Sequence, residues 1–351
     1  MDVPNRKSAG ANKMENAKRK AISLSWEGLI KKGNLQNEET LPLVIQPAIE
    51  ELDLISWAQN CRGYIETSLL KYGAILFRGF NFNIDKTSEF ERFIRVISSN
   101  LLEYCERSSP RNHVSGYIYS STEYPPNQSI FLHNENSYAH VWPSRIYFFC
   151  HTPAQRGGET PIADCRKVLA RIAPQIIERF NQRGVMYVRN FRQGFGLSWE
   201  TVFQTDDRSA VEEYCSKAGY EFKWLNDNRL RTRRIGQATI KHPQTGDIIW
   251  FNHAAFFHVS TLEPAMCEAL LTIFKEEDLP NNTYYGDGSP IESSVLNEIR
   301  EAYHRETVIF PWQQGDILLL DNMLIAHGRM PFTGHRRILV GMTDPYMNDG
   351  I

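Results

Sequence analysis

Hydrophobic positions along the chain follow two periods. In "IEELDLISWAQNCRGYIETSLLKYG" (49–73) they recur at three- and four-residue spacing, which predicts an amphipathic helix stopped by Gly73. The same period predicts helices in "SEFERFIRVISSNL" (88–101), "CRKVLARIAPQIIERFNQRG" (165–184, interrupted by Pro174), "RSAVEEYCSKAGY" (208–220), "PAMCEALLTIFKEED" (264–278) and "SSVLNEIREAYHRET" (293–307). Short runs rich in β-branched and aromatic residues, bounded by turn residues, predict strands. They are "AILFRGF", "RIYFFCHT", "GVMYVRNF", "EFKWL", "LRTRRI", "QATIKHP", "DIIWFNH", "TVIFPW", "GDILLLDNML" and "RRILVGMTD". "HPQTGDIIWF" and "QQGDILLL" read as turns leading into strands. More than eight strands, many too close for crossover helices, predict a mainly antiparallel sandwich or barrel carrying helices, in place of a parallel α/β sheet. "YYGDGSPI" (284–291) reads as a turn-rich loop between helices, either a connector or a lid over a site.

Residues 1–22 break both periods. They are polar and basic, and predict a mobile tail followed by a single domain over 23–351, since large β-rich enzymes often exceed 250 residues as one unit. The alternative for the tail is a docking arm for an acidic partner. The tail has no apolar core, so it is not read as a secretory signal. No apolar run is long enough to span a bilayer.

A net charge of −2 gives no electrostatic reason to expect nucleic acid or a membrane surface as partner. The six cysteines (61, 105, 150, 165, 215 and 267) form no Cys-x-x-Cys pair, which argues against a zinc ribbon or a thioredoxin-like site. Reduced thiols and a cytoplasmic location are the expectation.

The candidate chemistry begins in "FLHNENSYAHVWPSRIYFFCHTPAQRGGET" (131–160). His133 and Glu135 are two apart, and on extended backbone such residues point to one side. Ferrous iron in oxygen-using enzymes is held by two His and one carboxylate on one face of an octahedron, leaving open positions. His-x-Glu is half of that set. The other imidazole can come from His140, as a local cupin-like cluster, or from His151, His253, His258 or His327. His327 stands out. It follows the run "GDILLLDNML", and a turn region then leads to a strand that opens with Arg336 and Arg337. An imidazole and a planar guanidinium fork in one pocket suit a cosubstrate with a chelating end and a carboxylate end, and 2-oxoglutarate is such a molecule. Arg145 is a candidate anchor for a substrate carboxylate, with an ion pair as the alternative. Asn252 is a candidate polar group of the pocket. Tyr138, Trp142, Trp250 and Phe251 are expected in the core or the pocket wall.

With these residues assembled, the chain resembles the taurine-dioxygenase-like (TauD/TfdA) family of Fe(II)/2-oxoglutarate oxygenases. The resemblance rests on His133-Asn134-Glu135, on "GGET" at 157–160, on His327 and on an Arg about ten residues beyond it, in matching order across roughly 60–345. Within the family it is most similar to oxygenases that act beside non-ribosomal peptide synthetases, such as the syringomycin-pathway aspartyl hydroxylase. Glu at the carboxylate position also occurs in clavaminate-synthase-like hydroxylases.

The resemblance implies a double-stranded β-helix (jelly-roll) core flanked by helices. It also implies Fe(II) on His133, Glu135 and His327, with O2 as the oxidant. Thr160 and one of Arg336 and Arg337 would hold 2-oxoglutarate. The activity implied is hydroxylation, or desaturation, of an amino acid or a carrier-protein-tethered aminoacyl group in secondary metabolism such as antibiotic biosynthesis. The family's second Arg, four residues after the first, is absent: that place is Val340 or Gly341. A sulfonate substrate is therefore not expected. Retention of Glu135 argues against halogenation, because related halogenases lack the carboxylate. Two competing readings remain: a cupin-like oxygenase or isomerase using His133, Glu135 and His140 without 2-oxoglutarate, and a non-catalytic β-sandwich that binds a partner.

Overall fold

The computed structural model describes residues 25–35, 41–84, 86–103, 106 and 111–347. The expected tail at 1–22 lies outside them. Its centre is an eight-stranded sheet whose strands lie in the order Ile30–Gly33, Leu43–Pro47, Ala74–Phe77, Ile317–Asp321, Val141–Thr152, Arg337–Met347, Ile118–Ser120 and His113–Ser115. Neighbours run antiparallel, except that Leu43–Pro47 and Ala74–Phe77 are parallel.

The middle strands are apolar at nearly every position because both faces are buried. Alternation assigns the faces. Ile146, Phe148, Cys150, Leu318, Leu320, Ile338, Val340 and Met342 belong to one core. Tyr147, Phe149, Ile317, Leu319 and Leu339 belong to another, against helices Leu54–Asn60, Arg62–Tyr72 and Thr87–Ile97.

On the first face lies a three-stranded sheet in the order Ile130–His133, Ile325–Arg329, Ile162–Asp164. Phe148 of the large sheet meets His327 of the small one, with ring centroids 5.0 Å apart. A four-stranded antiparallel sheet (Glu221–Leu225, Arg229–Gly236, Val185–Phe191, Asn281–Tyr285) carries a third core around Trp199 and Val202. The chain is thus β-rich with helices, as the sequence predicts. No helix among the described residues is long and apolar enough to cross a membrane.

Several elements differ from expectation for local reasons. The helix expected over 49–73 is two helices, broken at Cys61, whose φ of −115° and ψ of 20° leave the helical region. Asp53 caps the first by accepting from Ser56 N–H at 2.7 Å, and Gly73 ends the second at φ 74°. Ile325 packs so closely on Gly73 that a Cβ there would lie 2.6 Å from its Cδ1. "GDILLLDNML" is not one strand. Asp321 Oδ1 accepts from the N–H groups of Met323 and Leu324, turning the chain, and a new strand begins at Ile325. "TVIFPW" makes only an isolated bridge, Val308 with Ile162. "YYGDGSPI" begins as the end of a strand, its turn is closed by Tyr285 N–H to Ser289, and it is tied to the end of helix Pro174–Arg183 by Asp287–Arg183 and Gly286 N–H to Gly184. It links the strand Asn281–Tyr285 to the helix Ser293–Arg305.

Candidate active site

His133 ends its strand, and Glu135 opens the turn that follows. The turn is closed by Ser137 N–H to Asn134 and Ala139 N–H to Asn136, with Asn136 at φ 57°, a conformation Asn tolerates. Asn322, fully buried, joins this turn to the one before His327. Its Oδ1 accepts from Glu135 N–H at 2.8 Å, and its Nδ2 donates to the carbonyls of Glu135 (2.9 Å) and Pro143 (2.8 Å). Asn134 Nδ2 donates back to the Asn322 carbonyl at 2.7 Å.

Antiparallel register then sets His327 directly opposite His133, with ring centroids 4.7 Å apart. The result is one group: candidate ligand atoms of His133, Glu135 and His327 all lie within 4.8 Å of one another. The sequence separation of almost two hundred residues is closed by a single strand pair and one asparagine.

The environment suits a divalent metal. His133 Nδ1 is 2.8 Å from the Phe131 carbonyl. The N–H therefore sits on Nδ1 and leaves the Nε2 lone pair for an ion. The His133 ring stacks on Phe256 at 4.5 Å and an interplanar angle of 5°. His327 Nε2 is 4.0 Å from Glu135 Oε2, too far for a hydrogen bond but within the spacing of two ligands sharing one ion. Burial pushes His133 below, and His327 well below, the ordinary imidazole range, so both are neutral, as ligation requires. Two imidazoles and one carboxylate match the facial set that holds Fe(II).

Glu135 also has a cation beside it. Arg111 Nη2 donates to Oε2 at 2.5 Å, with both side chains almost inaccessible. Nothing in the sequence around Arg111 announces this role; it lies in an aperiodic polar stretch.

A second cluster is built from the Gly-Gly-Glu-Thr run. Gly157 and Gly158 take φ of 69° and 74°, and Gly158 N–H donates to the Pro331 carbonyl at 3.0 Å. This brings Thr160, 2% exposed, to accept from Trp312 Nε1 at 3.2 Å. Arg336 Nε donates to the Gly158 carbonyl at 2.8 Å, and Nη1 to Ser121 Oγ at 3.2 Å. Burial pushes its guanidinium down to about 10, with Arg329 acting in the same direction. A register shift between Arg337 and Ile338 breaks the alternation at the start of the strand Arg337–Met347, and both arginines line one pocket with Ser121, Tyr124 and Phe332. Arg336 precedes that strand and is largely buried, whereas Arg337 is exposed. Arg337 is accordingly set aside.

The close approach has a test. A Cβ on Gly157 would lie 2.1 Å from the Pro331 carbonyl oxygen, which is backbone and cannot step aside. Gly157→Ala is therefore expected to lower stability by about 1–3 kcal/mol, read as a fall in Tm.

Other expected site residues lie elsewhere. Arg145 points to the opposite face of the large sheet, where it donates to Ser98 Oγ at 3.3 Å and pairs with Asp344 (3.6 Å) and Glu66 (3.9 Å). It is not a substrate anchor at this pocket. The Asn252 amide is committed to backbone, Nδ2 donating to the Ala238 carbonyl and Oδ1 accepting from Ala254 N–H. Asn252 is therefore structural rather than substrate-binding. His140 is not in the ligand group, which among the described residues is the one such group found. His151 bonds Thr152 Oγ1, and His258 caps the turn at Ser260. Tyr138, Trp142, Trp250 and Phe251 are core residues. His253 does approach the site, its ring 5.6 Å from that of His133.

Comparison with known proteins agrees with this geometry. Residues 39–343 match the family described as taurine catabolism dioxygenase TauD, TfdA family. The chain is 41% identical over 281 residues to the dapdiamide synthesis protein DdaC of Enterobacter agglomerans, covering 80% of this chain and 85% of that protein. It is 28% identical over 319 residues to a clavaminate synthase-like protein of Arabidopsis thaliana, covering 86% and 93%. The fold is similar to that of PvcB from Pseudomonas aeruginosa, with a TM-score of 0.53 at 14% identity over 90% of this chain and 91% of the other. The chain belongs to the TauD/TfdA family, and it is an Fe(II)/2-oxoglutarate-dependent dioxygenase that consumes O2.

Proposed function

We propose that His133, Glu135 and His327 hold one Fe(II), that Thr160 and Arg336 seat the far carboxylate of 2-oxoglutarate, and that the enzyme hydroxylates an unactivated C–H bond of an amino acid or a carrier-protein-tethered aminoacyl group. The observation that carries this is the convergence of two imidazoles and one carboxylate within 4.8 Å, with a buried guanidinium and Thr160 in a second cluster. When bound, the metal and cosubstrate supply the oxidation: 2-oxoglutarate and O2 become succinate and carbon dioxide, and one oxygen atom goes to the substrate carbon.

The chain's own residues do the rest. The Phe131 carbonyl fixes the His133 tautomer. Asn322 sets the spacing between the two halves of the ligand set. Apolar walls from Phe148 and Phe256 keep water from the reacting carbon. Amino-acid chemistry in secondary metabolism is supported by the 41% identity to a dapdiamide synthesis protein. The facing of the large and three-stranded sheets across Phe148 and His327 supports a double-stranded β-helix core. The family match over 39–343 supports one domain from 23 to 351. Unpaired thiols at Cys61, Cys150, Cys165, Cys215 and Cys267 support a cytoplasmic setting.

The test is product analysis on purified protein with Fe(II), 2-oxoglutarate and chloride, screened first over free amino acids and then over carrier-bound ones. Succinate matched one-to-one by a product heavier by one oxygen is expected, because Glu135 fills the carboxylate position. A chlorinated product would contradict the assignment, and so would succinate release that no substrate stimulates.

A further inference from the structure

A third imidazole reaches the metal site without joining the ligand group. His253 is 1% exposed, and its ring packs edge-on to Tyr138 at 4.9 Å and Phe256 at 5.2 Å. Its backbone is fixed, since its N–H donates to the Tyr187 hydroxyl at 3.0 Å. Nδ1 lies 2.6 Å from Ser137 Oγ, two residues from Glu135. Among the described residues Ser137 Oγ has no other hydrogen-bond partner, so the tautomer that satisfies its hydroxyl is the one in which the hydroxyl donates to Nδ1 and the ring hydrogen sits on Nε2. That Nε2 is buried with no hydrogen-bond partner. An unpaired donor this deep is costly, and persists where a ligand completes it.

The charge around this donor selects the ligand. Among the described residues, the buried shell joined to His253 and the triad carries three guanidiniums, Arg111, Arg189 and Arg234, against two carboxylates, Glu106 and Glu135. The links are continuous. Arg189 sits over the Tyr138 ring at 5.0 Å, Arg234 donates to the Tyr138 carbonyl at 3.1 Å, and the Tyr138 hydroxyl donates to the Glu106 carbonyl at 2.6 Å. The positive charge of Arg189 acts on His253, and that of Arg111 on His133 and His327. The shell is thus positive before a divalent metal enters, and more so after. The cosubstrate's cation is separate, because Arg336 contacts Gly158, Ser121 and Phe332, none of which belongs to this shell.

We infer that His253 Nε2–H binds a carboxylate oxygen of the primary substrate, in a subsite whose positive field comes from Arg189, the charge of Arg111 being paired with Glu135. This rests on the dioxygenase site proposed above and narrows its substrate to one bearing a carboxylate. It also makes His253, rather than Asn252 or Arg145, the polar group that orients the substrate at the iron.

The test uses the full chain loaded with Mn(II) and 2-oxoglutarate, which binds substrate without turnover. The proteinogenic amino acids are presented as free acids and as C-terminal amides, with thermal shift and calorimetry as readouts. At least one free acid is expected to bind and to raise Tm while its amide does not. His253→Ala should weaken that acid by about tenfold or more, the loss of one hydrogen bond to a charged group. His253→Gln, which keeps an N–H at nearly the same place, should restore most of the affinity. The Kd for 2-oxoglutarate should be equal in all three proteins, which a general loss of fold would not allow. Equal binding of acid and amide, no acid-selective ligand, or undiminished binding by His253→Ala would each overturn the inference. If wild-type protein fails to bind Mn(II) and 2-oxoglutarate, the dioxygenase site falls and this subsite with it. Normal 2-oxoglutarate binding without acid selectivity removes the subsite alone.

Discussion

Replacing His327 with alanine is expected to remove stoichiometric iron and 2-oxoglutarate turnover together, while the same change at His140 leaves both intact. His327 faces His133 across one strand pair, and its Nε2 is 4.0 Å from Glu135 Oε2. Without it, an ion would keep one imidazole and one carboxylate. Loss of outer-shell partners alone costs roughly 10–100-fold in metal affinity, so loss of a direct ligand should exceed about 100-fold. His327 is also a cleaner probe than Glu135. Removing Glu135 strands Arg111 as a buried guanidinium, a change that costs about 3–5 kcal/mol and confounds ligand loss with unfolding. His327→Ala keeps the Arg111–Glu135 pair. Iron content by metal analysis and succinate release, with Tm as the folding control, check the expectation. Retention of iron by His327→Ala with loss in His140→Ala would restore the local three-residue alternative.

The second large effect belongs to Arg336. Its Nε and Nη1 are held by Gly158 and Ser121, and its burial is what pushes its guanidinium down to about 10. Arg336→Ala is expected to raise the KM for 2-oxoglutarate roughly 10- to 150-fold, the equivalent of about 1.5–3 kcal/mol for hydrogen bonds to a charged group. Arg336→Lys should recover part of this, since the charge remains and the planar fork is lost. Arg337→Ala should change KM by less than about twofold, as an exposed side chain contributes little. Steady-state kinetics on the three variants decide it. A large effect at Arg337 with none at Arg336 would reverse the assignment.

The sequence carried much of this site because its parts are compact motifs. His133 and Glu135 are two residues apart, Gly157 to Thr160 are contiguous, and the strands around them are apolar enough to be visible as runs. Their meeting depends on long-range pairing, and there legibility ends. What separates Arg336 from Arg337 is burial and the bonds of Arg336 to Gly158 and Ser121, just ahead of a register shift against Val141–Thr152, which no local pattern fixes. Strand parity sends Arg145 to the opposite face, where Asp344 and Glu66 meet it. Asn252 looked like a polar group in search of a pocket, but backbone atoms at Ala238 and Ala254 use both ends of its amide. Arg111 and Asn322 have no sequence signal at all. One is an Arg in a polar stretch, the other an Asn in a turn, and their importance appears only when Glu135 arrives beside them. Arg329, two residues from His327, shows the converse. Nothing in its sequence setting separates it from Arg336, yet its guanidinium holds the carbonyls of Tyr124, Pro125 and Gln128.

The most direct measurement of the central claim is anaerobic titration of the wild-type protein with Fe(II) and then 2-oxoglutarate, followed by visible absorption. A ligand set of His133, Glu135 and His327 with open positions predicts a metal-to-ligand charge-transfer band from the chelated keto acid. The band should saturate at one iron and one 2-oxoglutarate per chain and be absent from His327→Ala. No band in the wild-type protein, or an undiminished band in His327→Ala, would contradict it.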